Sequence, residues 1–466
     1  AGGVDYYDNQ TDNYSQDHYQ LSYSFEINDY WILNTALHYT HGKGYYEEYA
    51  QDTLLFYYAI EDVQIGDSII TNSDLISQKW LVNDFLGITF SSRYHYGRFD
   101  ATIGGGFNYY DGLHFGKVTW ARFTGATENN HEWYRGTGLK KDGNLYAKLH
   151  YQVLRSLNVF GDIQVRHIRH EITGIHDDLR DIGQEHDYTF VNPKLGLYYQ
   201  LSNTQSMYVS FATAGREPNR SNFVDADPGH PVASAETLYD YELGYRLGLN
   251  HMKLAATIYF MDYKDQLVLT GEINNTGAPI MTNVDDSYRA GIELETGINI
   301  KGRFFWDMNA TFSRNRIREF TEYVDNWDYW DDPVNEPQQH TRELAGTHLS
   351  FSPELIAASI LSYEIIDNLK ISLTSKYVGK QYIDNTASEE RRLDPYFLNN
   401  IYAGYSFNTS VVEEITIRLQ ANNIFNVQYE SNAWVYRYSY GGEEYFMDGY
   451  FPQAGIHYMV GMTVRF

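Results

Sequence analysis

The sequence predicts an all-β chain, a transmembrane antiparallel β-barrel, on three observations. Side-chain character alternates along the whole chain, connections alternate in length, and the last residues read as a strand ending on an aromatic. In "HYQLSYSFEI" (18–27), Tyr19, Leu21, Tyr23, Phe25 and Ile27 share one face, opposite His18, Gln20, Ser22, Ser24 and Glu26. In "WILNTALHYT", Trp31, Leu33, Leu37 and Tyr39 lie on one face; in "EITIRLQANN", Ile415, Ile417, Leu419 and Ala421 do. Successive strand side chains point to opposite faces, so each stretch has one apolar and one wettable surface.

Alternation alone also fits a soluble sandwich, so the connections decide. About 17 strands of roughly 10–15 residues begin near residues 17, 30, 78, 98, 141, 157, 188, 205, 236, 252, 287, 303, 349, 369, 396, 414 and 455. Short turns fall at Asn28-Asp29, Gly97, Arg155 to Leu157, Ser202 to Thr204, Asn250-His251, Lys301-Gly302, Asp367-Asn368 and Asn408 to Glu413. Long connections cover 42–77, 111–140, 171–187, 214–235, 265–286, 318–347, 378–395 and 427–454. Short turns on one side and long loops on the other are the layout of an outer-membrane barrel. Only a closed barrel leaves no unpaired strand backbone in lipid.

Composition agrees. The 466 residues include 44 tyrosines, and aromatics make up 16%, which suits girdles at both membrane interfaces. No apolar run is long enough for a transmembrane helix. With no cysteine, disulfides, thiolate metal sites and cysteine nucleophiles are excluded. A formal charge of −26 argues against nucleic acid as a partner. Seventeen is odd, whereas single-chain bacterial barrels have even strand numbers. The expectation is a barrel domain spanning 1–466, the C-terminal portion of a longer protein with an odd number of strands before it.

Several segments resemble TonB-dependent outer-membrane receptors. "NPKLGLYYQLSNTQSMYVSFATAGREPN" (192–219) and "AETLYDYELGYR" (235–246) carry the middle signature, a strand pair leading to an Arg-x-Pro-type loop and a Glu-x-Gly strand. "AATIYFMDYKDQL" (255–267), "TNVDDSYRAGIELE" (282–295) and "LQANNIFNVQYES" (419–431) follow in the family's order. "MTVRF" closes the series, and the outward set Tyr458, Val460, Met462, Val464 and Phe466 resembles the family's assembly signal. "DNQTDNYSQDHYQLSYSFEIN" (8–28) resembles members from the Bacteroidetes of the ferric-citrate and siderophore receptor type. The resemblance implies a 22-stranded barrel in the outer membrane of a Gram-negative bacterium, filled by an N-terminal plug. If the 17 strands are the last of those 22, five strands and that plug are expected to precede this sequence. It also implies a TonB–ExbB–ExbD energising complex acting through the plug, a small-molecule chelate as substrate, and a surface lipoprotein as a further partner.

Candidate ligand residues lie in the long connections. Arg216 and Arg220, in "ATAGREPNRSNF" (212–223), stand just above a strand end where the family's loops face the substrate chamber. Guanidinium groups suit bidentate carboxylate or phosphate contacts; pairing with Asp225 or Asp227 is the structural alternative. Arg391 and Arg392, in "SEERRLDPY" (388–396), carry the same idea. "VDNWDYWDDPVNEP" (324–337) offers Trp327, Tyr329 and Trp330 for stacking on a ligand or sealing the loops; its acids lack a calcium-loop spacing. "ENNHEWYRG" (128–136), with His131, Trp133, Tyr134 and Arg135, reads as structural. In "HIRHEITGIHDD" (167–178), His167 and His170 are three apart and fall on opposite strand faces, so no metal site is expected. No catalytic set and no cofactor motif is present. The function expected is TonB-dependent import of a scarce nutrient, foremost a ferric siderophore or similar iron chelate, without enzymatic activity. A passive porin and a surface ligand-binding barrel within a larger assembly are the alternatives.

Overall fold

In the computed structural model the alternating stretches form strands, and most pair with the strand before or after them in sequence. The structure describes residues 9–128, 130–225, 232–273 and 279–466. It divides into two compact units, Ala1–Tyr151 with Gly161–Pro193, and Gln152–Phe160 with Lys194–Phe466. Twenty-four strands are present among the described residues, and seventeen match the predicted set. The other seven, from two to eleven residues long, are built inside the long connections. No helix of the described residues is long and apolar enough to cross a membrane, which says nothing of crossing by strands.

In the first unit Asp12–Asn28, Trp31–Leu54, Asn72–Tyr96, Phe99–Ala121 and His131–Leu154 form consecutive antiparallel ladders. The register keeps like with like: Tyr19 faces Tyr39, which faces Leu86, which faces Tyr109. Near the short turns Tyr30 packs on Tyr96 and Trp31 on Tyr94, at 5.2 and 6.1 Å between rings. The strands outrun the predicted loop 42–77, ending at Leu54 and resuming at Asn72. Between them a 3-10 turn, Leu55–Tyr58, and a hairpin, Val63–Ile65 with Ser68–Ile70, fold back over the sheet. Leu55, Ile60 and Val63 bury against Leu75, Val118 and Trp133. This long connection carries its own core.

In the second unit one outward row crosses seven strands: Leu197, Val209, Leu243, Ile258, Ile292, Phe312 and Leu355, each opposite the next. A second row runs Trp306, Leu361, Leu373, Ile401, Ala421 and Tyr458. Tyr458, with Val460, Met462 and Val464 in the same series, therefore continues the same apolar face. Nearer the loops, Phe211, Tyr241, Phe260 and Tyr288 form an aromatic file with ring separations of 5.0, 6.3 and 6.0 Å. The turn at Lys301 and Gly302 places both residues at positive φ, 54° and 71°, the twist a two-residue hairpin needs. The strand predicted from 349 begins at Leu355 instead. Residues 349–354 contain Pro353, which supplies no ladder donor, and Phe351 N donates to Tyr382 O across the loop instead.

The outward row makes a clear prediction. Ile292→Arg places a cation in the middle of the apolar face and should cost about 2–4 kcal/mol, whereas Thr311→Arg on the opposite face of the neighbouring strand should cost far less. Urea unfolding in lipid vesicles measures both, and equal costs would contradict the assignment of faces.

Candidate ligand-binding site

Three long connections of the second unit meet around one carboxylate. Phe304–Asn326 continues past Ile317, and its outer half pairs with Gln339–His348. Along that half Glu322, Val324 and Asn326 share the buried face. Glu430–Tyr440 and Glu443–Pro452 form a hairpin in which Ala433, Val435, Arg437 and Ser439 are the buried set. A short parallel bridge, Asp325 to Tyr438 and Asn326 to Ser439, joins the two elements. The connection 378–395 is closed by the two-residue ladder of Gln381–Tyr382 with Arg392–Leu393. Its Ile383 and Leu393 pack with Ala433 and Val435.

The Glu322 side chain, 5% exposed, sits among three guanidinium groups. Arg437, 8% exposed, is in direct contact with Glu322 Oε1. Arg391 Nη2 lies 3.6 Å from that oxygen, and Arg342 Nη1 lies 3.6 Å from Oε2. Arg391 Nε lies 2.7 Å from Asp384 Oδ2, and Glu444 accepts from Arg342 and Arg437 at 2.5 and 2.6 Å. Arg342, Arg391 and Arg437 thus balance Glu322, Asp384 and Glu444. Burial lowers Arg437 from the ordinary guanidinium value and Glu444 opposes the shift; the group remains a cation at neutral pH. Beside this hub lies a cavity of about 60 Å³, bounded by Thr270, Thr282, Phe320, Glu322, Asp384 and Arg437. That is room for a few waters.

The predicted aromatics divide. Trp327 stacks on Tyr438 at 3.9 Å between rings, and its Nε1 donates to Tyr436 OH at 3.2 Å. Tyr436 OH donates to Asp325 Oδ2 at 2.6 Å; burial and that carboxylate raise its pKa. Trp327 therefore seals the loops. Trp330 is 76% exposed, with Tyr329 edge-on at 5.5 Å, and these two stand at the tip of their connection.

The arginines also divide. Arg216 Nε meets Glu236 Oε1 at 2.8 Å, directly across the ladder; Asp227, one of the expected partners, lies outside the described residues. Arg220 opens the helix Arg220–Val224, which Asn219 caps. Arg391 belongs to the hub. Arg392 pairs with Glu389 and Asp394 on the surface. Sequence reading missed Glu322, Arg342, Asp384, Arg437 and Glu444. A signal existed for two of them, since Glu322 and Arg437 interrupt the apolar or small face of period-2 stretches.

In the first unit His131 bonds to Tyr58 O at 3.0 Å, and Trp133 donates to Asp177 O at 3.2 Å. Arg135 pairs with Glu132, so this segment is structural, as expected. His167 faces Thr189 and is exposed, whereas His170 is buried; they do not converge. His176, Asp177 and Asp178 come within 4.8 Å of one another. Asp177 is already engaged by Lys79 at 2.7 Å and His176 at 2.8 Å, which lower its pKa against burial, the largest influence.

This fold and loop architecture is that of an outer-membrane receptor barrel. The family model described as TonB dependent receptor-like, beta-barrel matches residues 1–424, and the chain belongs to that family. Its fold is similar to the ferric yersiniabactin uptake receptor FyuA from Yersinia pestis, at 16% identity and TM-score 0.63, covering 96% of this chain and 60% of that one. It is similar to the unliganded ferric citrate transporter FecA, at 13% identity and TM-score 0.65, covering 96% and 61%. It is similar to the copper transporter OprC, at 11% identity and TM-score 0.69, covering 96% and 65%. The chain thus spans about three-fifths of the length of these structures. No curated protein matches it by sequence.

Two outcomes follow from this geometry. Glu322→Gln leaves the buried Arg391 and Arg437 and the half-exposed Arg342 with one carboxylate fewer, and breaking such a network costs about 3–5 kcal/mol. Hydrogen exchange should show the hairpin 430–452 and the segment 381–393 losing protection together; loss in one alone would mean the hub does not join them. Separately, hydrogen bonds from Lys380, Tyr382 and Arg392 hold Glu389 down to about 2, from 4.5. Its folded pKa is the lower one, so this clasp contributes above about 4.5 and is lost as pH falls towards 2. Protection of 381–393, corrected for intrinsic rates, should step down across that window, and Glu389→Gln should abolish the step.

Proposed function

We propose that the protein imports a small anionic metal chelate, foremost a ferric siderophore or ferric citrate-like complex, across a Gram-negative outer membrane by TonB-dependent active transport. The family match over residues 1–424 carries the reading. The similarity to a ferric yersiniabactin uptake receptor and a ferric citrate transporter favours an iron chelate, and the similarity to a copper transporter makes copper the reading to test against it. On this proposal the chain is the C-terminal portion of a 22-stranded barrel. On the same proposal TonB, ExbB and ExbD energise the transport.

Within the loops, Tyr329 and Trp330 make the first contact with an arriving ligand. Arg391 and Arg392, with Arg216 and Arg220, supply cationic contacts, and Trp327 holds the connection in shape. Tyr458, Val460, Met462, Val464 and Phe466 form the assembly signal. A surface lipoprotein remains a proposed partner.

The test is uptake by cells carrying the full-length protein. Radiolabelled iron supplied as citrate or as a catecholate complex should accumulate, and a protonophore should stop it. Protonophore-insensitive flux would indicate a passive pore, and accumulation of copper without iron would refute the iron reading. Trp330→Ala with Tyr329→Ala should raise the half-saturating chelate concentration about tenfold at unchanged maximal rate.

A further inference from the structure

"SRNRIREF" (313–320) places Arg314, Arg316 and Arg318 on one strand face by its period of two. That face is the apolar outward one, for Phe312 precedes them in the same series. Across the ladders Arg314 lies opposite Ala290 and Arg316 opposite Tyr288; Tyr288 lies opposite Asp262, and Lys264 opposite Asp286. Arg314 stands ten residues beyond Phe304, about 33 Å of strand, or roughly 25 Å of height at the usual tilt. The apolar band of such barrels is about as tall. The cations begin where hydrocarbon gives way to headgroups, on the loop side.

Three of the four cations have partners: Arg316 with Glu354 at 2.7 Å, Arg318 with Asp262 at 3.1 Å, and Lys264 with Asp286 in close contact. Arg314 has no ion-pair partner among the described residues and is exposed. The patch therefore carries excess positive charge on a chain whose net charge is −26. Arg318 lies 5.4 Å over the Tyr288 ring, which packs 6.0 Å from Phe260. Phe260 in turn borders an apolar groove of about 650 Å³ on the same outward face, shared with Val209, Tyr241, Leu243 and Ile258.

We propose that this face docks a membrane lipid whose headgroup carries a phosphomonoester. The phosphate lies on Arg314 and Arg318, and one acyl chain lies in the groove beside Phe260. Guanidinium pairs match phosphate oxygens bidentately, and clustered basic residues at the membrane surface recognise anionic headgroups. The proposal rests on the outer-membrane reading, because it needs this face in lipid.

The experiment uses the full-length protein, its Arg314→Gln/Arg318→Gln double variant and, as control, Arg303→Gln at the opposite, short-turn edge. Native mass spectrometry with added phosphatidic acid or phosphatidylcholine reads retention. Wild type and Arg303→Gln should retain phosphatidic acid preferentially, and the double variant should retain about twenty-five-fold less, roughly fivefold per arginine. Equal retention by the double variant overturns the site, as does equal retention of phosphatidylcholine by wild type. Inorganic phosphate binding with the same arginine dependence and no lipid preference would make it a free-anion site instead. Heat-modifiable mobility after insertion into phosphatidylcholine vesicles reports the membrane placement separately; a wild type that does not insert removes that placement whatever its lipid preference.

Discussion

Backbone hydrogen bonding without water is the constraint from which the rest follows. A strand crossing hydrocarbon must give every N–H and C=O to a neighbouring strand, and interior strands such as Asn72–Tyr96, Glu236–Gly248 and Met252–Ile273 are paired on both sides residue by residue. Pairing fixes the faces, because residues opposite each other across a ladder point the same way. One slip of register would exchange Ile292 for Glu293 on the outward face, so the apolar rows hold the ladders as firmly as the ladders hold the rows. The opposite face is then free to be polar.

The same ladders continue beyond the height of a bilayer, and there the chemistry changes. Outer segments such as Arg316–Asp325 with Gln339–His348 have water or other loops around them, so both faces can carry function. Burial in this region comes from connections folding on one another: Leu55, Ile60 and Val63 over Leu75 in the first unit, and Ile383 and Leu393 with Val435 in the second. In the second unit the tightest such contact is ionic. A buried carboxylate is tolerable only when its charge is compensated, and Glu322 has that compensation from guanidinium groups contributed by three separate connections.

How much of this was legible follows from periodicity. The strands were readable because each has a lipid-type face, as Tyr19 to Ile27 shows, and the turns because Gly97, Lys301-Gly302 and Asn368 carry the residues that positive φ favours. The inner structure of the connections was not readable. "GYYEEYA" has no strong two-fold contrast, because at that height neither face must be apolar, yet it is strand up to Leu54. The site was harder for the same reason. Arg216 looked available because its partner, Glu236, is twenty residues away and adjacent only once the register is known. Arg391 and Arg392 are neighbours in sequence with different fates, one buried beside Asp384 and the other on the surface with Glu389. Glu322 and Arg437 are more than a hundred residues apart, and only the parallel bridge at Asn326 and Ser439 brings their strands together.

The charge balance of the hub bears on how it could meet a ligand. Three arginines and three carboxylates leave no idle cation, and burial makes every uncompensated charge costly. An anionic group that uses Arg391 or Arg437 must therefore take over from Glu322, Asp384 or Glu444, and the displaced carboxylate must reach water. Those carboxylates belong to different connections, so the exchange cannot remain local: moving Glu322 shifts the strand end that carries Trp327, and moving Asp384 shifts the clasp around Glu389. Binding at this hub and rearrangement of the loops over the barrel are, on these contacts, one event.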